Sequence, residues 1–316
     1  MSGAESLDDQ SIMMFCASCG VKEEDDDIKL KTCNACYLVR YCGSKCQRDH
    51  WPQHKKECKK RAAELRDEIL FKQPESSHMG DCPICCLPLP IYKEKSPNLT
   101  CCGKKICYGC HYAHSRRTYN ERLEETCPFC RQTPPKTQEE AERNIKKRIE
   151  ANDPSALSRI GTKCIREGDD KGAFECFTKV AALGDIGAHY QLSCLYKLGR
   201  GVEKDDKKSL YHSEQAAIGG HVKARHNLGF EAFMNGKMDR AVKHWIIAAK
   251  LGHDDSLQRL KNGFQMGTVS KDVFAAALRA HNAAVDAMKS PQREEAEKTW
   301  AKAEALGIAS PFGYSN

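Results

Sequence analysis

Residues 181–193 read AALGDIGAHYQLS, residues 216–229 read AAIGGHVKARHNLG, and residues 248–260 read AAKLGHDDSLQRL. The turn glycines Gly184, Gly220 and Gly252 therefore recur at intervals of 36 and 32 residues. A repeat of this length is typically one helix hairpin, which cannot bury its apolar face alone and stacks on its neighbours. The pattern predicts an all-α helical-repeat solenoid over residues 153–290, including a terminal cap, and a C-terminal helix and tail over residues 291–316.

The repeat units resemble the Sel-one-like class of tetratricopeptide-type repeats. That class combines an Ala-Leu-Gly turn, a Gly-x-Gly-Val loop and a lysine-rich second helix, and the loop is present here as LGRGVEKDD at residues 198–206. The resemblance covers residues 153–262 and implies a solenoid surface that holds another protein. Histidines are scattered through the repeats without a metal-ligand spacing, so no chemistry is assigned to them.

Cysteine is concentrated at the front of the chain. Of the 19 cysteines, 16 lie between Cys16 and Cys130. The first residues lack the pattern of a secretory signal and no apolar run is long enough to span a bilayer, so we expect a cytoplasmic or nuclear protein without a membrane partner. In such a reducing compartment, closely spaced cysteines are more often zinc ligands than disulfides. Small zinc-stabilised modules are therefore expected before the solenoid.

The spacing separates two modules, and we expect metal to be needed for folding at the front only. A disordered lead-in over residues 1–14 precedes a first module at residues 15–58. A connecting helix at 59–80, a second module at 81–133 and another connecting helix at 134–152 lead into the repeats. In the first module eight residues have metal-ligand spacing, enough for two tetrahedral sites: Cys16, Cys19, Cys33, Cys36, Cys42, Cys46, His54 and Cys58.

The first module resembles a MYND zinc finger, with Tyr41 before Cys42 and the text CQRDHWPQHKKEC at residues 46–58. The resemblance implies interleaved sites, in which the first and third cysteine pairs hold one zinc ion and the second and fourth pairs hold the other. Some members of that family bind proline-rich peptides through a glutamine and a tryptophan at the positions of Gln47 and Trp51. Packing of Trp51 on the zinc core is the alternative.

The second module reads CPICC from Cys82, CCGKKICYGC from Cys101 and CPFCR from Cys127. It resembles a RING finger in which lysine stands at the usual histidine position, and the all-cysteine variant then implies a further two zinc ions. One ion would bind Cys82, Cys85, Cys107 and Cys110, and the other Cys101, Cys102, Cys127 and Cys130. His111 or His114 is an alternative to Cys101, and the spare thiol of Cys86 is expected to be a small buried residue.

These modules favour protein recognition, and we expect proteins or peptides as partners of a zinc-dependent scaffold. RING fingers commonly hold a ubiquitin-conjugating enzyme, and the contact positions of that family are present as Ile84, Pro128 and Arg131. A RING-type ubiquitin ligase whose repeats recruit substrate is therefore the alternative, and no residue is predicted to be catalytic. A net charge of +7 over 316 residues is mild, so nucleic acid is not a favoured partner. The basic run that would contact it contains Lys55, Lys56, Lys59 and Lys60.

Overall fold

The computed structural model describes residues 15–23, 28–92 and 95–306. The lead-in expected at residues 1–14 and the tail beyond residue 306 lie outside the described residues. The chain forms two compact units, Met1–Lys72 and Gln73–Asn316, called here the N-terminal and C-terminal units. No helix in the described part of the chain is long and apolar enough to cross a bilayer.

The N-terminal unit is a small sheet and one long helix. Strand β1 (Lys31–Thr32) pairs antiparallel with β2 (Arg40–Tyr41), and helix α1 spans Ser44–Leu70. The helix expected in the connecting segment 59–80 is the second half of α1, which ends at Leu70, before Pro74. His54 and Cys58 lie one turn apart on α1, whereas Cys42 precedes the helix.

Eleven helices are described in the C-terminal unit. The second cysteine module contributes α2 (Tyr108–Asn120), and α3 (Gln138–Glu150) follows it. The remaining helices form hairpins of the solenoid and its C-terminal end: α4 (Pro154–Glu167), α5 (Asp170–Ala182), α6 (Ile186–Leu198), α7 (Asp206–Ile218), α8 (Val222–Met234), α9 (Met238–Lys250), α10 (Asp254–Gln265), α11 (Lys271–Ala287) and α12 (Pro291–Ala305).

Apolar residues at helical spacing fill the space between neighbouring hairpins. One cluster is centred on Phe177 and Leu192, and a second on Trp245 and Leu260. Burying each such side chain contributes about 1.5–3 kcal/mol. The repeats therefore obtain their stability from stacking, as the sequence period predicted.

The first helix of each repeat begins with a side-chain cap. Asp185 caps α6 through the N–H of Ala188, as Asp and Asn commonly do. At the equivalent positions of α8 and α10, His221 and His253 accept the N–H through Nδ1. Two histidines to which the sequence analysis assigned no chemistry thus act as caps, a role that requires an unprotonated Nδ1.

The segment 73–133 packs along these helix N-termini, so the second cysteine module and the repeats form one unit. The N–H of His78 donates to the carbonyl of Gly220 at 3.1 Å. The module also reaches α4 and α10: Asn98 donates to the hydroxyl of Ser155 at 3.0 Å, and Tyr92 to the carboxylate of Asp254 at 2.9 Å. The sequence did not indicate these contacts, because apolar periodicity does not reveal contacts made by helix ends.

Two equivalent turn glycines allow the contact between the segment 73–133 and the repeats to be tested. Gly184 and Gly220 both have positive φ, 85° and 81°, so an alanine is strained by about 1–2 kcal/mol at either position. A Cβ at Gly184 meets nothing within 4 Å, whereas one at Gly220 lies 2.5 Å from the carbonyl oxygen of Ser76. We expect Gly220→Ala to lower the free energy of unfolding by about 1–3 kcal/mol more than Gly184→Ala, by urea denaturation. Equal effects would contradict this docking.

Candidate metal centres

The structure brings cysteine and histidine side chains together in four groups, each with its ligand atoms within 4.8 Å of one another. These groups match the four sets inferred from the sequence. They are called here site A (Cys16, Cys19, Cys42, Cys46), site B (Cys33, Cys36, His54, Cys58), site C (Cys82, Cys85, Cys107, Cys110) and site D (Cys101, Cys102, Cys127, Cys130).

The distances within the groups fit a tetrahedral zinc ion. Two thiolates bonded to zinc at about 2.3 Å with tetrahedral angles lie about 3.8 Å apart, whereas disulfide sulfurs are separated by about 2.05 Å. The Sγ–Sγ distances are 3.6 Å for Cys19 and Cys42, 3.8 Å for Cys33 and Cys58, 3.7 Å for Cys85 and Cys107, and 3.5 Å for Cys101 and Cys130. In site B, Nε2 of His54 lies 3.3 Å from Sγ of Cys36.

The same backbone turn positions one cysteine pair in each site. In one Cys-x-x-Cys pair of each site, the residue after the second cysteine has a left-handed φ and donates its N–H to the carbonyl of the first cysteine at 2.8–2.9 Å. This residue is Gly20, Tyr37, Cys86 or Arg131, with φ of 75°, 59°, 55° and 61°. The turn directs both thiols to one point, so the local chain is shaped for an ion. The fifth such pair, Cys107 and Cys110, lies instead at the start of helix α2.

This turn also explains why Cys86 is exposed, whereas burial was expected. Its left-handed backbone continues the loop away from site C, and its thiol is exposed. The structure groups Cys82 and Cys85, and not Cys86, with the other ligand atoms. Cys86 is therefore a spare surface thiol.

Aromatic rings surround the ligand His54 of site B. Tyr41 is buried and its hydroxyl lies 3.0 Å from Nδ1 of His50, whose ring stacks on His54 with centroids 5.7 Å apart. Trp51 packs edge-on against His54 at 6.3 Å, yet its side chain remains 40% exposed. Trp51 thus packs against His54 and still presents part of its ring at the surface, and its role in peptide binding stays a prediction.

Site D contains both adjacent cysteines. Cys101 and Cys102 belong to the group, and Sγ of Cys101 lies 3.5 Å from Sγ of Cys130. The two histidines considered as alternatives are not members of this group. Nε2 of His114 lies instead 2.8 Å from the carbonyl oxygen of Thr126.

The thiols of one site differ in acidity before any metal binds. Burial raises the pKa of Cys16, but backbone N–H donors outweigh it and lower this pKa to about 6. Burial also raises the pKa of Cys33, but hydrogen bonds, first among them the one with His54, lower this pKa to about 6. The pKa of Cys42 is raised to about 12, chiefly by hydrogen bonds to neighbouring thiols. The pKa of Cys58 is also raised to about 12, chiefly by burial. Sites A and B thus each contain one thiol that is more acidic than a free cysteine, and metal binding would release the protons of the others.

The other residues singled out in the sequence lie at the surface. Gln47 is exposed on α1, four residues before Trp51. In the second module Ile84 and Arg131 are exposed and Pro128 is half-buried. The lysines of the basic run are exposed on α1, and Nζ of one of them, Lys60, lies 4.0 Å from the carboxylate of Glu64.

One buried residue at the metal centres was missed in sequence. Arg293 of α12 donates through Nη2 to Sγ of Cys85 at 3.4 Å. The contact spans 208 residues, and Arg293 sits in an ordinary charged helical stretch, so no local pattern could have indicated it.

Comparison with known protein families identifies the first cysteine module and the helical repeats. The family model described as the MYND finger matches residues 16–58, and the Sel1 repeat model matches residues 155–185, 186–221 and 222–253. The chain therefore contains a MYND finger followed by a helical Sel1-repeat solenoid. The RING-like classification of the second module remains a prediction.

Similar curated proteins share a short segment with this chain. SET domain and MYND-type zinc finger protein 6 of Schizosaccharomyces pombe is 35% identical over 65 residues, 21% of this chain and 13% of that protein. Histone-lysine N-methyltransferase SMYD3 of Homo sapiens is 52% identical over 31 residues, 10% of this chain and 7% of that protein. Histone-lysine N-methyltransferase ASHR1 of Arabidopsis thaliana is 57% identical over 45 residues, 14% and 9% respectively. The chain thus spans only 7–13% of these relatives' length.

Two solved structures are similar at a lower level. A Sel1 repeat protein from Oxalobacter formigenes has a TM-score of 0.40 and 24% identity, covering 62% of this chain and 76% of that one. The protective antigen c5321 of uropathogenic Escherichia coli, which displays an SLR fold, has a TM-score of 0.37 and 21% identity, covering 65% and 43%. Neither similarity is high enough to inform function.

The ligand set of site D can be checked by counting bound zinc. We expect native mass spectrometry to find four zinc ions per chain, falling to three in Cys101→Ser and in Cys102→Ser because each variant removes a ligand of one tetrahedral site. His111→Ala, the matched control, is expected to retain four. Loss of zinc in His111→Ala, or fewer than four ions in the unmodified chain, would contradict this ligand set.

Proposed function

We propose that this protein is a zinc-dependent protein-interaction scaffold that holds four zinc ions, two in the MYND finger and two in the second cysteine module. The observation that carries the proposal is that each site has four protein ligands with tetrahedral spacing. Four protein ligands around one zinc ion leave no position for a substrate or an attacking water, which is the arrangement of structural zinc. The sites would therefore stabilise surfaces that bind other proteins.

The first of these surfaces lies on α1 of the MYND finger. Gln47 and Trp51 are one helical turn apart and thus lie on one face. Contact with His54 restrains the Trp51 ring, so binding a partner costs less side-chain entropy than it would for a free side chain. A half-exposed aromatic ring beside an amide suits a proline-rich peptide, whose extended form is already ordered before it binds.

A second surface lies within the C-terminal unit. A groove of about 1310 Å³ separates the loops of site D from the first solenoid helix, α4. Arg159 and Arg166 line it, and neither forms an ion pair with another described residue. Lys104 and Lys105 contribute two more cations from the module. The same groove is also lined by Asp81, Glu125, Asp153 and Asp185, so it carries charges of both signs. Its size supports recognition of an extended segment of a partner protein.

The peptide surface of the MYND finger can be tested with a proline-rich peptide library. We expect Trp51→Ala to weaken binding of the selected peptide by about 2 kcal/mol or more, measured by fluorescence anisotropy, because aromatic anchors dominate such interfaces. Zinc content should stay at four. Gln53→Ala, an exposed change on another face of α1, is the control. Equal affinities of the Trp51→Ala and Gln53→Ala variants would refute this surface.

Ubiquitin transfer is a second candidate function, favoured by the accessibility of Ile84 and Arg131 in the second module. The ligand groups of that module interleave, with the first and third cysteine pairs in site C and the second and fourth in site D. Arg131 is presented by the left-handed turn of site D, so its guanidinium projects from a fixed loop. A planar group with several donors suits the ordering of a thioester between two proteins.

Substitution of Arg131 distinguishes ubiquitin transfer from the scaffold function. We expect Arg131→Gly to abolish ubiquitin transfer in assays with a panel of conjugating enzymes while four zinc ions remain bound. Glycine tolerates the φ of 61°, so the loss would come from the missing guanidinium and not from backbone strain. Arg131→Lys keeps the charge and should retain part of the activity. Absence of transfer with every conjugating enzyme would leave the scaffold function alone.

A further inference from the structure

Arg293 enters the backbone loop that carries site C. Its side chain is 7% exposed. Its guanidinium forms hydrogen bonds with groups of this loop and with the residue that follows helix α11. The acceptors are Sγ of Cys85 at 3.4 Å, the carbonyl of Leu87 at 3.3 Å, the carbonyl of Pro88 at 2.8 Å and the carbonyl of Met288 at 2.7 Å.

Close packing of α12 on α2 holds the guanidinium there. Gly109 follows two residues after the ligand Cys107, and a Cβ on it would lie 2.7 Å from the backbone nitrogen of Arg293 and 2.8 Å from its Cα. Only a residue without a side chain allows this approach. Further along the same interface, the Trp300 and Tyr108 rings meet edge-on at 5.3 Å.

A hydrogen bond from arginine to Cys85 is expected to matter most when zinc is bound. A zinc ion with four thiolates carries two excess negative charges, and the buried guanidinium offsets part of that charge. Charge-assisted hydrogen bonds are about twice as strong as neutral ones. Groups that hydrogen-bond to metal ligands commonly change metal affinity by about 10- to 100-fold.

We propose that Arg293 is a positioning residue of site C, so that zinc binding there and docking of helix α12 stabilise each other. The inference rests on the proposed zinc occupancy of site C. Because the coupling is a free energy shared by two events, it acts in both directions. Zinc tightens α12 against α2, and docked α12 slows the loss of zinc from this one site among four.

The first test measures zinc retention. Full-length protein is titrated with a zinc chelator, and bound zinc is counted by native mass spectrometry. We expect Arg293→Met to release one ion at about 10- to 100-fold lower chelator concentration, with Arg293→Lys intermediate. Gly109→Ala should also release one ion early, although every ligand and Arg293 itself are unchanged. Arg116→Met is the control, because Arg116 pairs with Glu295 of α12 but does not contact a thiol in the described structure.

The second test identifies the site and the reverse effect. In protein loaded with cadmium-113, Arg293→Met should shift the NMR resonance that disappears in Cys85→Ser and leave the other three unchanged. Hydrogen exchange in α12 should accelerate in Cys85→Ser more than in Cys102→Ser, which removes a ligand of site D instead. Arg293→Lys distinguishes lost charge from a general packing defect.

Two results would overturn the proposal. If Arg293→Met and Gly109→Ala release zinc at the same chelator concentration as the unmodified chain, Arg293 merely holds α12 to backbone carbonyls. If Cys85→Ser leaves the zinc count of the chain unchanged, site C binds no zinc, and the four-zinc assignment fails together with the coupling. The first result alone leaves the scaffold function intact.

Discussion

Each ligand group closes a loop between two parts of the chain, and both cysteine modules depend on this closure. Site A joins the pair 16–19 to 42–46 across site B, and site C joins 82–85 to 107–110 across site D. If both sites of a module bind zinc as proposed, neither ion can bind without enclosing part of the other site. Because segments of about 45 residues bury too little apolar surface to fold alone, the proposed zinc ions would supply much of the folding free energy.

The buried core of each module consists largely of its ligands. In the MYND finger, Leu30 and Tyr41 are the other buried members of a cluster made up mainly of cysteines. In the second module the other buried members are Met79, Leu89 and Ile106. Without an ion, these positions would hold a mixture of thiols and thiolates where a globular domain has hydrocarbon. The second module additionally has the repeats, whose helix N-termini cover one of its sides.

Local spacing was sufficient to indicate the candidate ligand pairs and the repeats, because both are set by neighbours within a few residues. The assignment of those pairs to sites came from the family resemblances. Ligand pairs lie on tight turns, and the repeat glycines mark the turns between helices. Features set by distant contacts were not accessible in this way. The continuous α1, the attachment of the second module to Gly220, and the approach of Arg293 to Cys85 each depend on segments that share no sequence pattern. Cys86 was misplaced because left-handed φ at a cysteine has no compositional signature.

The C-terminal helix illustrates why such long-range contacts exist. Helix α12 is rich in charge, and Arg293 and Ala296 are its buried residues. A 15-residue helix of this kind is marginal in isolation, since helices in water gain most of their stability from packing. Helix α2 packs against α12, and Gly109 leaves space for that approach. Each helix therefore supplies a surface for the other, which ties the last described helix to the second cysteine module.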